Sequence, residues 1–135
     1  MAMDALQLRA ETPEDLVVLS ACLQDALIMI GDIAYRPDER RLMLAANRFL
    51  WEAPDKKSRC LSGLTIERVT AVRRRRLDPR RREALLSLLA IRGVPGGLEL
   101  IFAGGAEIRV ETEGIDIRLE DVGQAWPTLW QPSHA

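Results

Sequence analysis

The stretch LLSLLAIRGVPGGLELIFAGGAEIRVETEGIDIRL, from Leu85 to Leu119, decides the reading of this 135-residue chain. Short apolar runs are separated there by glycine-bearing turns at Gly93, Gly96-Gly97, Gly104-Gly105 and Gly114. Glycine supplies the positive φ that tight hairpins need, so the rhythm predicts an antiparallel meander. Glu107 to Thr112 and Ile115 to Leu119 alternate cleanly, placing Ile108 and Val110, then Ile115, Ile117 and Leu119, on an inward face. Glu83 to Arg92 is the ambiguous run: Asp78 can cap a helix, Pro79 can start one, and Ala and Leu favour it. The tight Gly93 to Gly97 connection into Leu98–Phe102 joins two extended neighbours most simply, so a strand is expected.

Toward the N-terminus, Leu6 to Ala10 reads as a first strand, and Thr12-Pro13-Glu14-Asp15 has the parts of a helix start. Thr12 can accept from free backbone N–H groups, Pro13 suits the first helical position, and the acids face the positive end of the helix dipole. Leu16, Leu19 and Leu23, with Val18 and Cys22, then recur at helical spacing, which predicts an amphipathic helix of about three turns. Ala26 to Tyr35 and Arg41 to Trp51 flank the turn Arg36-Pro37-Asp38-Glu39 and read as a β-hairpin. Arg59 to Val72 changes its apolar phase between Ile66 and Val69, which a bulge near Glu67-Arg68 would explain. Arg73 to Arg82 is read as a charged connection, and Trp126 to Pro132 as too proline-rich for regular structure.

Composition narrows the class. Hydrophobic residues at 47% and charged residues at 29% exclude the composition of a disordered chain, and aromatics at 4% leave the core to Leu, Ile, Val and Ala. The expected architecture is α+β: a mainly antiparallel, strongly curled sheet or small barrel, pleckstrin-homology-like by analogy, with one amphipathic helix near the N-terminus. It is expected to form a single domain over residues 1–135, with an ordered core from about 6 to 132. No apolar run reaches the roughly 18 to 20 residues that span a bilayer. The first residues lack a basic and apolar leader pattern, and Cys22 and Cys60 form no CxxC pair, so a reduced, cytoplasmic protein is expected.

Few residues carry chemistry. Cys22, Cys60 and the single His134 are too few for a zinc site, and any Ser-His or Cys-His pair would have to recruit the penultimate residue. Cys22 reads as a small core hydrophobe, and Cys60 beside Arg59 as structural. Glu107, Glu111, Glu113 and Glu120-Asp121 read as outward acids on a solvated sheet face rather than a general acid–base pair. The glycines match neither dinucleotide nor phosphate-loop spacing. No catalytic, metal or cofactor residue is therefore assigned.

Charge is the remaining signal. Residues 66–82 hold eight arginines against two acids, a local charge of +6, whereas 107–121 hold six acids against two arginines, a local −4. The arginines at Arg73–Arg76 and Arg80–Arg82 can contact phosphates or acidic partners, but no aromatics interleave with them to stack bases. A solvated loop, or pairing with the acidic C-terminal strands, is the plainer account. Trp126 and Trp130 supply apolar area, either plugging the end of the sheet or docking a partner.

The segments Asn47-Arg48-Phe49-Leu50-Trp51-Glu52, Leu86 to Ile91, Phe102 to Arg109, and Leu119-Glu120-Asp121-Val122-Gly123 running into Trp126-Pro127-Thr128 resemble an uncharacterised bacterial family, domain of unknown function 2948. The resemblance implies a small cytoplasmic bacterial protein without an assigned activity or cofactor. The expected function is a non-enzymatic protein-binding or accessory module that contacts a partner, or itself, through a sheet edge or the Trp126 to Pro132 tail. The alternative is an anion-binding module that meets nucleic acid or acidic lipid through Arg73 to Arg82. The contact residues expected are Arg73, Arg74, Arg75, Arg76, Trp126 and Trp130, with Asn47 as a polar residue in a mostly apolar strand.

Overall fold

A computed structural model describes residues 6–49 and 58–123, and the backbone of 126–127. The first strand, β1 (Gln7–Ala10), leads into the helix α1 (Pro13–Leu23). The helix starts where expected because Thr12 and Asp15 form a reciprocal cap: the Asp15 N–H donates to Thr12 Oγ1 at 3.2 Å, and the Thr12 N–H to Asp15 Oδ2 at 3.1 Å. Leu16, Leu19 and Leu23 are buried, whereas Val17 and Val18 are exposed. Val18 was expected on the inner face, but the inward stripe is narrower and stops at the leucines.

The expected strand from Ala26 to Tyr35 is broken into two. β2 (Leu27–Met29) and β3 (Ile33–Arg36) flank a 3-10 turn at Ile30–Asp32, and β3 pairs with β4 (Arg41–Phe49) across a turn at Pro37–Glu39. β5 (Ser58–Ile66) and β6 (Val69–Arg75) follow. Glu67-Arg68 makes more than a bulge: the chain turns a corner there, with Arg68 at φ 58°, so that β5 and β6 have different neighbours. The corner is held by three backbone bonds, from the Glu67 N–H to Asp116 O, from the Glu113 N–H to Arg68 O and from the Val69 N–H to Arg40 O.

The meander is present over β7 (Leu85–Val94), β8 (Gly97–Phe102) and β9 (Glu107–Thr112). It ends at β9. The next strand, β10 (Ile117–Asp121), leaves to pair with β1 and β5, because the Gly114 turn is a crossover rather than a hairpin. Trp126–Pro127 forms a short strand, β11, against β5. Regular pairing therefore reaches into the segment read as irregular, with Trp126 opposite Arg59 in register.

All pairings are antiparallel, and the strand order is β1-β10-β5-β4-β2-β7-β8-β9-β6. β7 joins the two halves. Its first residues pair with β2, its later ones with β8, and the register shifts between Leu88 and Ala90. The path is open, with β1 and β6 at its ends, so the strongly curled or closed sheet expected from the sequence is not what forms. The reason lies at the corner: β6 leaves β5 and caps the outer side of β9, where it ends the sheet instead of closing it.

The core is one hydrophobic cluster. It draws on Leu16, Leu19 and Leu23 of α1, Leu42, Leu44, Leu64 and Ile66 of one half, and Leu98, Leu100, Ile108 and Val110 of the other. Phe102 is the one aromatic among the buried residues of this cluster, Tyr35 packs against it, and Phe49 is buried outside it. The helix is tied to β7 beyond the residues that pair with β2, for the Ile91 N–H donates to Ser20 Oγ at 2.9 Å. Among the described residues no helix is long and apolar enough to cross a membrane.

Candidate functional site

The arginine segment is built differently from the connection expected. Arg73, Arg74 and Arg75 belong to β6, opposite Arg109, Ile108 and Glu107 of β9. Alternation sets Arg73 and Arg75 on the outer face beside Glu107 and Glu111, and Arg74 on the inner face beyond Val72, where the buried row stops. Arg73 pairs with Glu111 at 3.4 Å, which makes good the expected pairing with the acidic strands for this one residue. Arg74, Arg75 and Arg76 are exposed and in no ion pair among the described residues. Nothing described pairs with the outer edge of β6. An edge strand carrying arginines resists association with apolar strands, and leaves its backbone groups open to a segment of opposite charge.

Arg76 follows with φ 54° and lies across the loop after β8: a Cβ added at Gly105 would stand 2.9 Å from Arg76 Nη1. The next stretch, Leu77 to Ala84, is fixed by its own bonds. Asp78 accepts from the Arg80 backbone at 3.0 Å and from the Arg80 guanidinium at 3.1 Å, and its carboxyl is held below its ordinary value by those bonds. The Ile30 N–H donates to Ala84 O at 2.9 Å and the Gly31 N–H to Arg82 O at 2.8 Å. Between these pieces lies a shallow cleft of about 730 Å³, lined by Ile30, Leu77, Pro79, Ala84, Leu85 and Leu86 together with Asp78, and with Arg76 and Arg81 on its rim. Leu85 is 57% exposed and faces Met29 across the β2–β7 pair, so an apolar row continues out of the cleft.

A second constellation was not foreseen. Arg48 is completely buried and forks onto Asp121: Nε donates to Oδ1 at 2.8 Å and Nη2 to Oδ2 at 2.9 Å. Ser62 Oγ donates to Oδ1 at 2.6 Å and the Leu6 N–H to Oδ2 at 2.9 Å. Burial alone would raise the Asp121 carboxyl, but the hydrogen bonds from Arg48, Ser62 and Leu6, with the Arg48 charge, lower it to about 2. Asp121 was read as an outward acid. It faces inward because β10 pairs with β5 in a register that sets Asp121 opposite Ser62 and Leu119 opposite Leu64. A carboxylate with four donors and a full opposite charge is arranged to hold strands together, and offers no free base.

The buried Arg59, on β5 opposite Phe49 of β4, has a different setting. Its guanidinium is 5.5 Å from the centre of the Phe49 ring and donates from Nη1 to Asn47 O at 3.1 Å. Burial pushes its pKa down, and the Asp25 carboxylate opposes that shift. Asn47 is half-buried in β4, and its part here is its backbone carbonyl. Cys60 is buried, in no disulfide, with its Sγ donating to Gly123 O at 3.1 Å. Trp126 contributes its backbone to β11, while Trp130 and Trp51 fall outside the described residues. The expected sites thus do not converge: the arginines lie at one end of the strand path, and Asn47 lies in the half of the sheet built on β4 and β5. Among the described residues no group of three or more His, Cys, Asp or Glu could hold a metal ion.

Against known proteins, residues 6–134 match a family described as "Protein of unknown function (DUF2948)". No curated protein and no solved structure matches the chain.

Proposed function

Since the chain belongs to the DUF2948 family, whose description assigns no activity, we propose on physical grounds that it is a non-enzymatic binding module whose β6 edge contacts a partner protein. One observation carries the reading: β6 ends the strand path, and two of its arginines and their successor, Arg74 to Arg76, stand exposed without an ionic partner among the described residues. The one core cluster, which joins β1 to β10, supports treating residues 1–135 as one domain, and the two unbridged thiols support a reducing compartment such as a bacterial cytoplasm.

The test is recovery of tagged protein from its native cells, with and without nuclease, at low and moderate salt. A stoichiometric protein that survives nuclease and is lost when Arg74→Glu and Arg75→Glu are combined is the expected result. A strict monomer by light scattering with no retained protein overturns it. Nucleic acid or acidic lipid released by salt would instead favour the anion-binding alternative, in which the same arginines meet phosphates.

A further inference from the structure

Resting on that reading of β6, we propose that the cleft at the end of the strand receives a leucine-sized side chain from an acidic, extended segment of the partner. Three independent features converge there. The first is shape and chemistry: about 730 Å³ walled by Ile30, Leu77, Leu85 and Leu86 is a place for apolar groups, and Leu85 is left 57% exposed beside it. Isolated exposed leucines are ordinary, but one that lines a concavity and continues into an apolar row with Met29 is a surface that burial would favour.

The second is charge. Arg76 and Arg81 stand on the rim, both exposed and neither in an ion pair among the described residues, and the one carboxylate that lines the cleft, Asp78, is already bound by the Arg80 guanidinium, so an occupant that brings carboxylates gains two charge-assisted contacts. The third is preorganisation. The rim is not a loose loop, since the Asp78 bonds to Arg80 and the Ile30 and Gly31 bonds to Ala84 and Arg82 fix the backbone before any partner arrives. Chain order then links the cleft to the edge, because β6 ends at Arg75 and the next two residues, Arg76 and Leu77, are already cleft wall. A segment laid along β6 runs directly into it. No aromatic residue lines the cleft among the described residues, so these provide no stacking platform for a nucleic-acid base.

The experiment uses the full chain and two fluorescein-labelled synthetic peptides of equal length and equal glutamate content, one alternating glutamate with leucine and the other glutamate with serine. Fluorescence anisotropy is read at low and moderate salt. The leucine peptide is expected to bind about tenfold or more tightly than the serine peptide. Leu85→Ser should erase that difference, either Arg76→Glu or Arg81→Glu alone should weaken binding and the two together should abolish it, and the single charge reversal Arg92→Glu on the 65%-exposed Arg92 should leave it unchanged. Equal binding of the two peptides, lost with Arg74→Glu and Arg75→Glu, would overturn the cleft while leaving the β6 reading intact. Binding of neither peptide overturns the cleft, and if phosphatidylglycerol vesicles float the protein in that case, the surface belongs to lipid and the β6 reading fails with it.

Discussion

Asp121 shows how much one residue can be misread from its neighbours. In sequence it closes the acidic pair Glu120-Asp121, and alternation from Leu119 in fact places it inward, yet a carboxylate there is unexpected without knowledge of its partner. The partner is 73 residues away, and Arg48 gave no local sign of its burial. The clue lay in the resemblance: the segments that carry it at Asn47 to Glu52 and Leu119 to Gly123 are the two that meet in this pair. Asp121→Asn should cost about 3 kcal/mol or more in urea unfolding, since it leaves the Arg48 charge in the core. Arg48→Met with Asp121→Leu should recover part of that loss; a double variant no better than the single one would mean that the bonds to Ser62 and Leu6, and not the ion pair, set the cost. Two glycines make an independent comparison. A Cβ at Gly97 would fall 2.0 Å from Val110 O, whereas one at Gly63 meets nothing within 4 Å among the described residues. Gly97→Ala should therefore destabilise by about 2 kcal/mol or more, and Gly63→Ala should be neutral or stabilising by about 0.5 kcal/mol, with thermal unfolding to compare them.

Among the elements, those set by local chemistry were legible. The α1 start follows from Thr12, Pro13 and Asp15, and β7 is a strand because its turn into β8 spans only Pro95 and Gly96. Elements whose limits depend on distant partners were not. β6 extends through Arg73 to Arg75 because β9 supplies Glu107 and Glu111 alongside, and β2 is cut short because the Ile30 and Gly31 N–H groups bond to the 82–84 backbone instead of continuing a ladder. The charged β6 edge also serves the molecule without any partner, by discouraging strand-to-strand association. Arg73→Val with Arg75→Val should keep the fold but raise light scattering steeply with concentration. A double variant that stays monomeric at all concentrations would show that something other than charge protects this edge.

At the scale of the whole molecule, Asp121 ties β10 to β4, to β5 and to Leu6, the residue before β1, through a single carboxyl. Its pKa falls from an ordinary 3.8 to about 2 on folding, so its contribution is fully present above about pH 4 and is lost as the pH drops toward about 2. That contribution is on the order of 2 kcal/mol. Urea midpoints should accordingly decline over this window more steeply for the natural chain than for Asp121→Asn, and parallel profiles would assign the acid sensitivity to other carboxylates. The sequence by itself determined the α+β class, the antiparallel pairing of β7, β8 and β9, the leucine-rich core and the arginine concentration, because propensity, period and turn chemistry act over a few residues. Only the tertiary structure decided that the strand path stays open, that Asp121 lies inside against Arg48, and that Arg76 and Arg81 share a cleft with Leu85. These depend on which distant strands become neighbours, and that choice is made by burial of the whole apolar set at once rather than by any local run.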